Sequence, residues 1–341
     1  MDGAFGEGGG QILRTAVAFS AIKGLPIRVT NIRSGREKPG LKAQHVSTLR
    51  VLKRVFNADL AGDVEGSGEI SFTPREPDAT QLSFDMRTAA SITLVLQAVV
   101  PAVSLSRSRL KIQLTGGTDV PWSPTFDYMS EVLSAAYGMV GIEFSARCLR
   151  RGYYPAGGGR VDAEIGPCKM LGPMSLPDPG GPYKATVMSR AGSLPRHVAE
   201  RQAKAAVSML SRKGIETGEP SVAAEESASP GSSILVAAGS GGVMVGADAI
   251  GARGKPAEKV GEEAAGSFMD ALSSGATVDS NLADMMAPLL SLASGESRLL
   301  VPEVSSHLET GLHVAQLFTK CRYSIKKLGK SSVVTVVPTE P

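Results

Sequence analysis

Tryptophan occurs once in these 341 residues, cysteine three times and histidine four times. Cys148, Cys168 and Cys321 are widely scattered, so neither a disulfide frame nor a cysteine-based zinc site is expected. Each reads as a small buried hydrophobe in a reducing, cytoplasmic compartment. No apolar run approaches the ~18 residues of a membrane span, and no membrane partner is expected. The opening "MDGAFGEGGG" lacks a signal-peptide pattern. Glycine is plentiful at 39 but has no period, which excludes a fibrous chain. The glycine run "GEGGGQILRT" contains no G-K-[ST], so it is not a P-loop. Gly6 and Gly8 begin a G-x-G-x-x-G pattern, but Gln11 occupies its last position and no full strand precedes it. A nucleotide-dependent oxidoreductase is therefore set aside.

What is present is a globular composition, 42% hydrophobic and 20% charged, long enough for two domains. The net charge of +3 hides an asymmetry: residues 1–56 carry ten Lys/Arg against three Asp/Glu, so that segment is +7 and the remainder −4. Such a basic end suits a polyanion or phosphates, or is simply a solvated charged face.

Hydrophobic spacing predicts alternating elements. "QILRTAVAFSAIKG" reads as a helix leaving a glycine-rich turn and closed by Gly24, and "PIRVTNI" as a strand. "LKAQHVSTLRVLKRVF" has helical spacing, "GEISFTP" alternates like a strand, and "TAASITLVLQAVVPAV" reads as a buried helix. "RLKIQLTGG" is a strand, and Ser-Pro opens a helix at "SPTFDYMSEVLSAAYGMVGI". The rhythm of helices and strands recurs about three times through residues 1–180 and 280–338, and predicts a layered α/β (α+β) architecture. Residues 1–183 and 279–341 are expected to form the large domain. Residues 184–278, with the Gly/Ser/Ala-rich stretch "EPSVAAEESASPGSS", are expected to be a smaller inserted α/β domain.

Three stretches carry chemistry. "GEGGGQILRT" places Glu7 in a glycine turn that runs into a helix with Arg14, so backbone N–H groups can approach an anion. An acid there repels phosphate unless a metal intervenes; the plainer reading is a tight turn with a solvated Glu. "IRSGREKPGLKAQH" sets Arg33, Arg36, Lys38 and Lys42 around turns before a helix that starts with Gln44 and His45. Guanidinium forks suit phosphate oxygens, although the stretch also reads as a basic surface loop. In "VSSHLETGLH", Ser306 and Glu309 match an S-x-x-E capping box, which places His307 first in a helix. At roughly 100° per residue, His307 and His313 lie about 120° apart around that helix and cannot share a metal. A helix start collects anions and favours a neutral imidazole. His313 reads as packed or partly exposed. Trp122, in "TGGTDVPWSPTFDY", either sandwiches a base or packs between domains.

Taken with "TLVLQ", "GGTD", "YYPAGGG", "PRHVAER", "LAD" and "SSHLETG", these motifs resemble one family, the RNA 3′-terminal phosphate cyclases, in the family's order over residues 2 to 311. The resemblance implies three repeats of a helix-and-sheet unit with a smaller domain inserted before the last. It implies ATP as co-substrate, a divalent metal (Mg or Mn) and RNA 3′-phosphate ends as partner. His307 would carry AMP and pass it to the RNA 3′-phosphate, and the 2′-OH would then close a 2′,3′-cyclic phosphate. By the same resemblance Glu7 would bind the metal, and Arg14, Arg33, Arg36, Gln44 and His45 would hold phosphates. Gln97, Pro124, Asn281, Leu282, Ala283, Asp284 and Met285 would line the adenylate pocket. The family segment Tyr-Leu-Ala-Asp-Gln is here Asn281-Leu282-Ala283-Asp284-Met285, and a methionine does not replace an amide hydrogen bond. Met285 and Trp122 could cover the base instead. A non-catalytic RNA-binding or ribosome-assembly relative is the alternative; such relatives lack the nucleophilic histidine, which this chain keeps.

Overall fold

The computed structural model describes residues 1–180, 183–239 and 242–339; the parts of the expected domain ranges at 181, 182, 240, 241, 340 and 341 lie outside the described residues. The first unit runs α1 (Gly10–Lys23), β1 (Ile27–Val29), α2 (Ala43–Val55), β2 (Asp59–Ala61) and β3 (Ile70–Thr73), with strand order β1-β3-β2. α1 ends where the sequence predicts: Gly24 takes φ 64° and returns its N–H to Ala21 and Ser20, a left-handed cap that suits glycine. The second unit runs β4 (Gln81–Asp85), α3 (Ile92–Leu105), β5 (Leu110–Gly116) and α4 (Phe126–Tyr128). A π-helical turn, Met129–Leu133, leads on to α5 (Ser134–Met139), β6 (Phe144–Arg150) and β7 (Gly159–Ile165), with order β4-β5-β7-β6.

The third unit starts at β8 (Ser175–Leu176) and is interrupted. β9 (Lys184–Gly192), α6 (Arg196–Arg212), β10 (Glu216–Thr217), β11 (Ser221–Glu225), β12 (Gly231–Ala238), β13 (Val245–Ile250) and α7 (Ala257–Ser273) come between. These strands make their own sheet, covered by α6 and α7 over a separate hydrophobic core that includes Val187, Leu210, Val236, Val245 and Phe268. β11 lies inside the Gly/Ser/Ala-rich stretch, and pairing beside β9 makes it a strand. The third unit then resumes with α8 (Ser280–Leu289), β14 (Ser297–Val301), α9 (Ser306–Thr319), β15 (Arg322–Leu328) and β16 (Ser331–Val337), in the order β15-β16-β14-β8.

The repeat is exact in topology for the second and third units. In each, the first strand pairs in parallel with the second, and the remaining pairings are antiparallel. In the first unit the place of that first strand is taken by a single parallel bridge between Asp2 and Thr30, with Gly3 N–H donating to the Thr30 carbonyl at 2.7 Å. One large core runs through all three units, and α1 packs against both α3 and α9. Among the described residues no helix is long and apolar enough to cross a membrane.

Candidate active site

α9 starts one residue earlier than the S-x-x-E box predicts. Ser305 is the N-cap: its backbone is extended and its Oγ accepts the Leu308 N–H at 2.9 Å. Ser306 offers the same chemistry, but Ser305 also donates its hydroxyl to the Asp284 carboxylate. His307 is thus the second helical residue, within the turn whose main-chain N–H groups have no helical partner. The glycine-rich loop lies along this helix. Glu7 Oε1 is 3.2 Å from His307 Nδ1, an added Cβ on Gly6 would overlap the Thr310 hydroxyl, and Phe5 stacks on His313 with ring centroids 3.7 Å apart. Positions 307, 310 and 313 are successive i, i+3 neighbours, so three residues of the loop run against one line of the helix. The two histidines serve one assembly, His307 against Glu7 and His313 against Phe5.

The Glu7–His307 approach is an ion-pair contact rather than an aligned hydrogen bond, since Nδ1 is buried without a well-directed partner. The nearby carboxylate nevertheless raises the His307 pKa above the ordinary imidazole range, against the opposing effect of burial. Glu7 in turn is held below the usual carboxylate range, chiefly by His307 and also by Arg36. Helix-end electrostatics alone had suggested a neutral imidazole; the adjoining carboxylate outweighs them. With Nδ1 turned to Glu7, Nε2 is the ring nitrogen left for chemistry. Arg36 Nη2 donates to Glu7 Oε2 at 2.8 Å and to the Glu7 carbonyl at 2.9 Å, so the carboxylate faces the guanidinium on one oxygen and the imidazole on the other.

Around this pair opens a cleft of about 490 Å³ lined by the starts of four helices: Gly10 of α1, Lys42 to His45 of α2, Ser91 of α3 and His307 of α9. Helix N-termini carry partial positive charge and unpaired N–H groups, so their convergence favours an anion. Arg14, Arg33, Arg36 and Lys42 add full charges to the same walls. Arg14 is partly exposed by area, but its guanidinium is enclosed. It donates to Gln11 at 2.8 Å, leaves Nε unpartnered, and burial pulls its pKa down to about 10, so it remains a cation at neutral pH. Arg33 donates through Nη1 to the carbonyls of Lys38 and Gly40, which pins the basic loop.

His45 is held neutral. Burial, reinforced by Arg14, Arg33 and Lys42, pulls its pKa down to about 3. Its Nδ1 accepts the Lys42 main-chain N–H at 2.9 Å, which leaves Nε2–H as a fixed donor near Gly10 and Arg14. Gln44 lines the cleft, and its amide is anchored: Oε1 accepts the Ser91 N–H and Nε2 donates to the Ser91 carbonyl at 3.2 Å. It joins the start of α2 to the cap of α3, and the second N–H of Nε2 remains as a donor for the phosphate that the resemblance implies.

The residues expected around adenylate divide. Gln97, Asp284 and Met285 line a second cavity beyond Arg14, which the two cavities share. At about 40 Å³ it is far below the volume of about 300 Å³ or more typical of a ligand pocket. Burial pushes the Asp284 carboxyl up to about 6. Leu282 and Ala283 are wholly buried in the main core, so their side chains are not pocket walls. Asn281 faces another cleft beside Asp248 and Asp270. Pro124 lines neither of the first two cavities; its carbonyl accepts the Thr93 hydroxyl at 2.8 Å. Met285 and Trp122 line different cavities and do not jointly cover one base. Trp122 is 97% exposed, which removes the reading that packs it between domains.

Sequence reasoning missed Phe5, Thr310 and Tyr154 as site residues. Thr310 and His313 repeat the spacing of His307, which was a usable signal; Phe5 gave none. For a divalent metal, no group of three His, Cys, Asp or Glu side chains among the described residues could form a cage. Glu7 alone fits a cation held mostly by phosphate oxygens, which draws on one or two protein carboxylates.

Comparison with known proteins shows the family. The sequence model described as RNA 3′-terminal phosphate cyclase matches residues 5–325. The chain is 42% identical over 338 residues to the RNA 3′-terminal phosphate cyclase of Pyrococcus abyssi, covering 99% of this chain and 98% of that one. It is 38% identical over 335 residues to that of Pyrobaculum aerophilum, with 98% and 96% covered. It is 42% identical over 330 residues to that of Methanosarcina barkeri, with 96% of each covered. The chain belongs to the RNA 3′-terminal phosphate cyclase family.

Proposed function

We propose that this chain converts an RNA 3′-terminal phosphate to a 2′,3′-cyclic phosphodiester at the expense of ATP, with His307 as the nucleophile. The observation that carries the reading is the Glu7–His307 pair, with Nδ1 against the carboxylate, in a cleft lined by cations and helix starts. His307 Nε2 attacks the α-phosphorus of ATP; the N–P bond forms and the bond to pyrophosphate breaks. An oxygen of the RNA 3′-phosphate then attacks that phosphorus, breaks the N–P bond and leaves an RNA(3′)pp(5′)A anhydride. The neighbouring 2′-OH attacks the 3′-phosphorus, loses its proton and expels AMP.

Glu7 fixes the tautomer and orientation of His307 and stabilises the imidazole as it loses its lone pair. Arg33, Arg36 and Lys42 take the terminal phosphate, and His45 adds one neutral donor. Arg14, standing between the two cavities, faces the phosphate of either substrate. The second cavity takes the adenosine once Met285, an unbranched and adaptable side chain, swings aside. A divalent cation, magnesium or manganese, would sit on Glu7 and phosphate oxygens and neutralise charge on the transferring group. Residues 184–278 act as an inserted unit that braces the second and third repeats.

The test is incubation with α-labelled ATP and a divalent metal. An acid-labile, base-stable adduct should form on the wild type and on His313→Ala, and not on His307→Ala. An adduct that survives in His307→Ala would refute this mechanism.

A further inference from the structure

The cleft has an aromatic mouth as well as a cationic floor. Trp122 is 97% exposed and Tyr154 is 68% exposed, and both line the cavity that holds His307. Trp122 is the only tryptophan in the chain. It takes φ +63°, a left-handed backbone that is unusual for a bulky residue and persists only where the surroundings impose it.

The surroundings do impose it. Thr118 and Asp119 donate their main-chain N–H groups to the Gly152 carbonyl at 2.8 and 3.2 Å, so the loops that carry Trp122 and Tyr154 are joined. Asp119 is buried against Arg151, and the Ser123 hydroxyl donates to the Val120 carbonyl at 2.9 Å. The indole is therefore displayed in water by a fastened loop.

We propose that Trp122, with Tyr154, is a stacking subsite for the base of the RNA's 3′-terminal nucleoside. This rests on the cyclase reading above. Single-stranded RNA ends are recognised by stacking on aromatic side chains, and stacking tolerates any base because every base has a π face. With the terminal phosphate on the floor of the cleft, the attached nucleoside leads toward its mouth. A nucleobase could also come from ATP. The RNA is favoured because the mouth is open to solvent, which suits a ligand that continues outward, whereas the enclosed cavity beyond Arg14 suits a ligand that ends there.

The single tryptophan is its own reporter. Emission excited selectively from Trp122 should be quenched by a short RNA ending in a 3′-phosphate. It should not be quenched by the same RNA with an abasic terminal nucleoside, nor by ATP alone. Trp122→Ala should weaken binding of the complete RNA by about 5- to 150-fold and of the abasic RNA by less than about twofold, with Trp122→Phe restoring most of the difference. Quenching by ATP alone, equal loss for both RNAs, or an RNA that binds and is cyclised without quenching would each overturn the stacking subsite. If the wild type neither binds nor cyclises 3′-phosphorylated RNA, the cyclase reading falls, and the subsite with it.

Discussion

Glu7 is shared between the His307 imidazole and the Arg36 guanidinium, and that sharing sets a pH dependence. His307 can attack only with Nε2 unprotonated, and the carboxylate raises the pH at which that state is reached. The acid limb of self-adenylation should therefore lie above the ordinary imidazole value of about 6.5. Glu7→Gln removes the charge that stabilises the imidazolium, so the limb should move to lower pH even as the rate falls. Rates of adduct formation across about pH 5 to 8 will show it; a limb that stays or moves upward contradicts the assigned role. His307 was legible in the sequence because the motif fixes it and a helix start explains it. The state of its neighbours was not. Gln44 looks free in the sequence and is tied to Ser91, because a partner 47 positions away leaves no local trace.

At the scale of elements, the device is a coil laid against a helix. Gly6 takes φ +65° and has no room for a side chain against Thr310. Gly6→Ala should push Glu7 off His307 and slow adduct formation on the order of 100-fold, with little change in melting temperature. Full activity in that variant would mean that the loop does not position the pair. Helices such as α1 and α2 were readable because apolar spacing repeats within them and Gly24 marks a stop. β4 was not, since its five residues are half-exposed and become a strand through parallel pairing with β5. The N-cap of α9 slipped by one because two serines compete and a distant aspartate decides between them.

For the whole molecule, the joint between insert and repeats is ionic and buried. Arg151 donates to Asp119 and Asp127, and Arg190 of β9 reaches Asp127 at 3.2 Å. Arg151→Ala leaves buried Asp119 without a cation and Asp127 with Arg190 alone, and should reduce stability by about 3 to 5 kcal/mol, read from the denaturant midpoint. A change below about 1 kcal/mol would show that the network is not what fastens the two parts. The threefold rhythm of the chain was legible, yet the identical strand order of the second and third units was not, because it is set by pairing partners far apart in sequence. Glu7 and His307 are separated by almost the entire chain, and between them lie the whole second unit and the whole of residues 184–278. Domains emerge and fold in order during synthesis, so His307 meets Glu7 only after nearly all of the polypeptide has been made. A nascent or interrupted chain can carry the basic loop, the glycine turn and the aromatic mouth and still be unable to react with ATP.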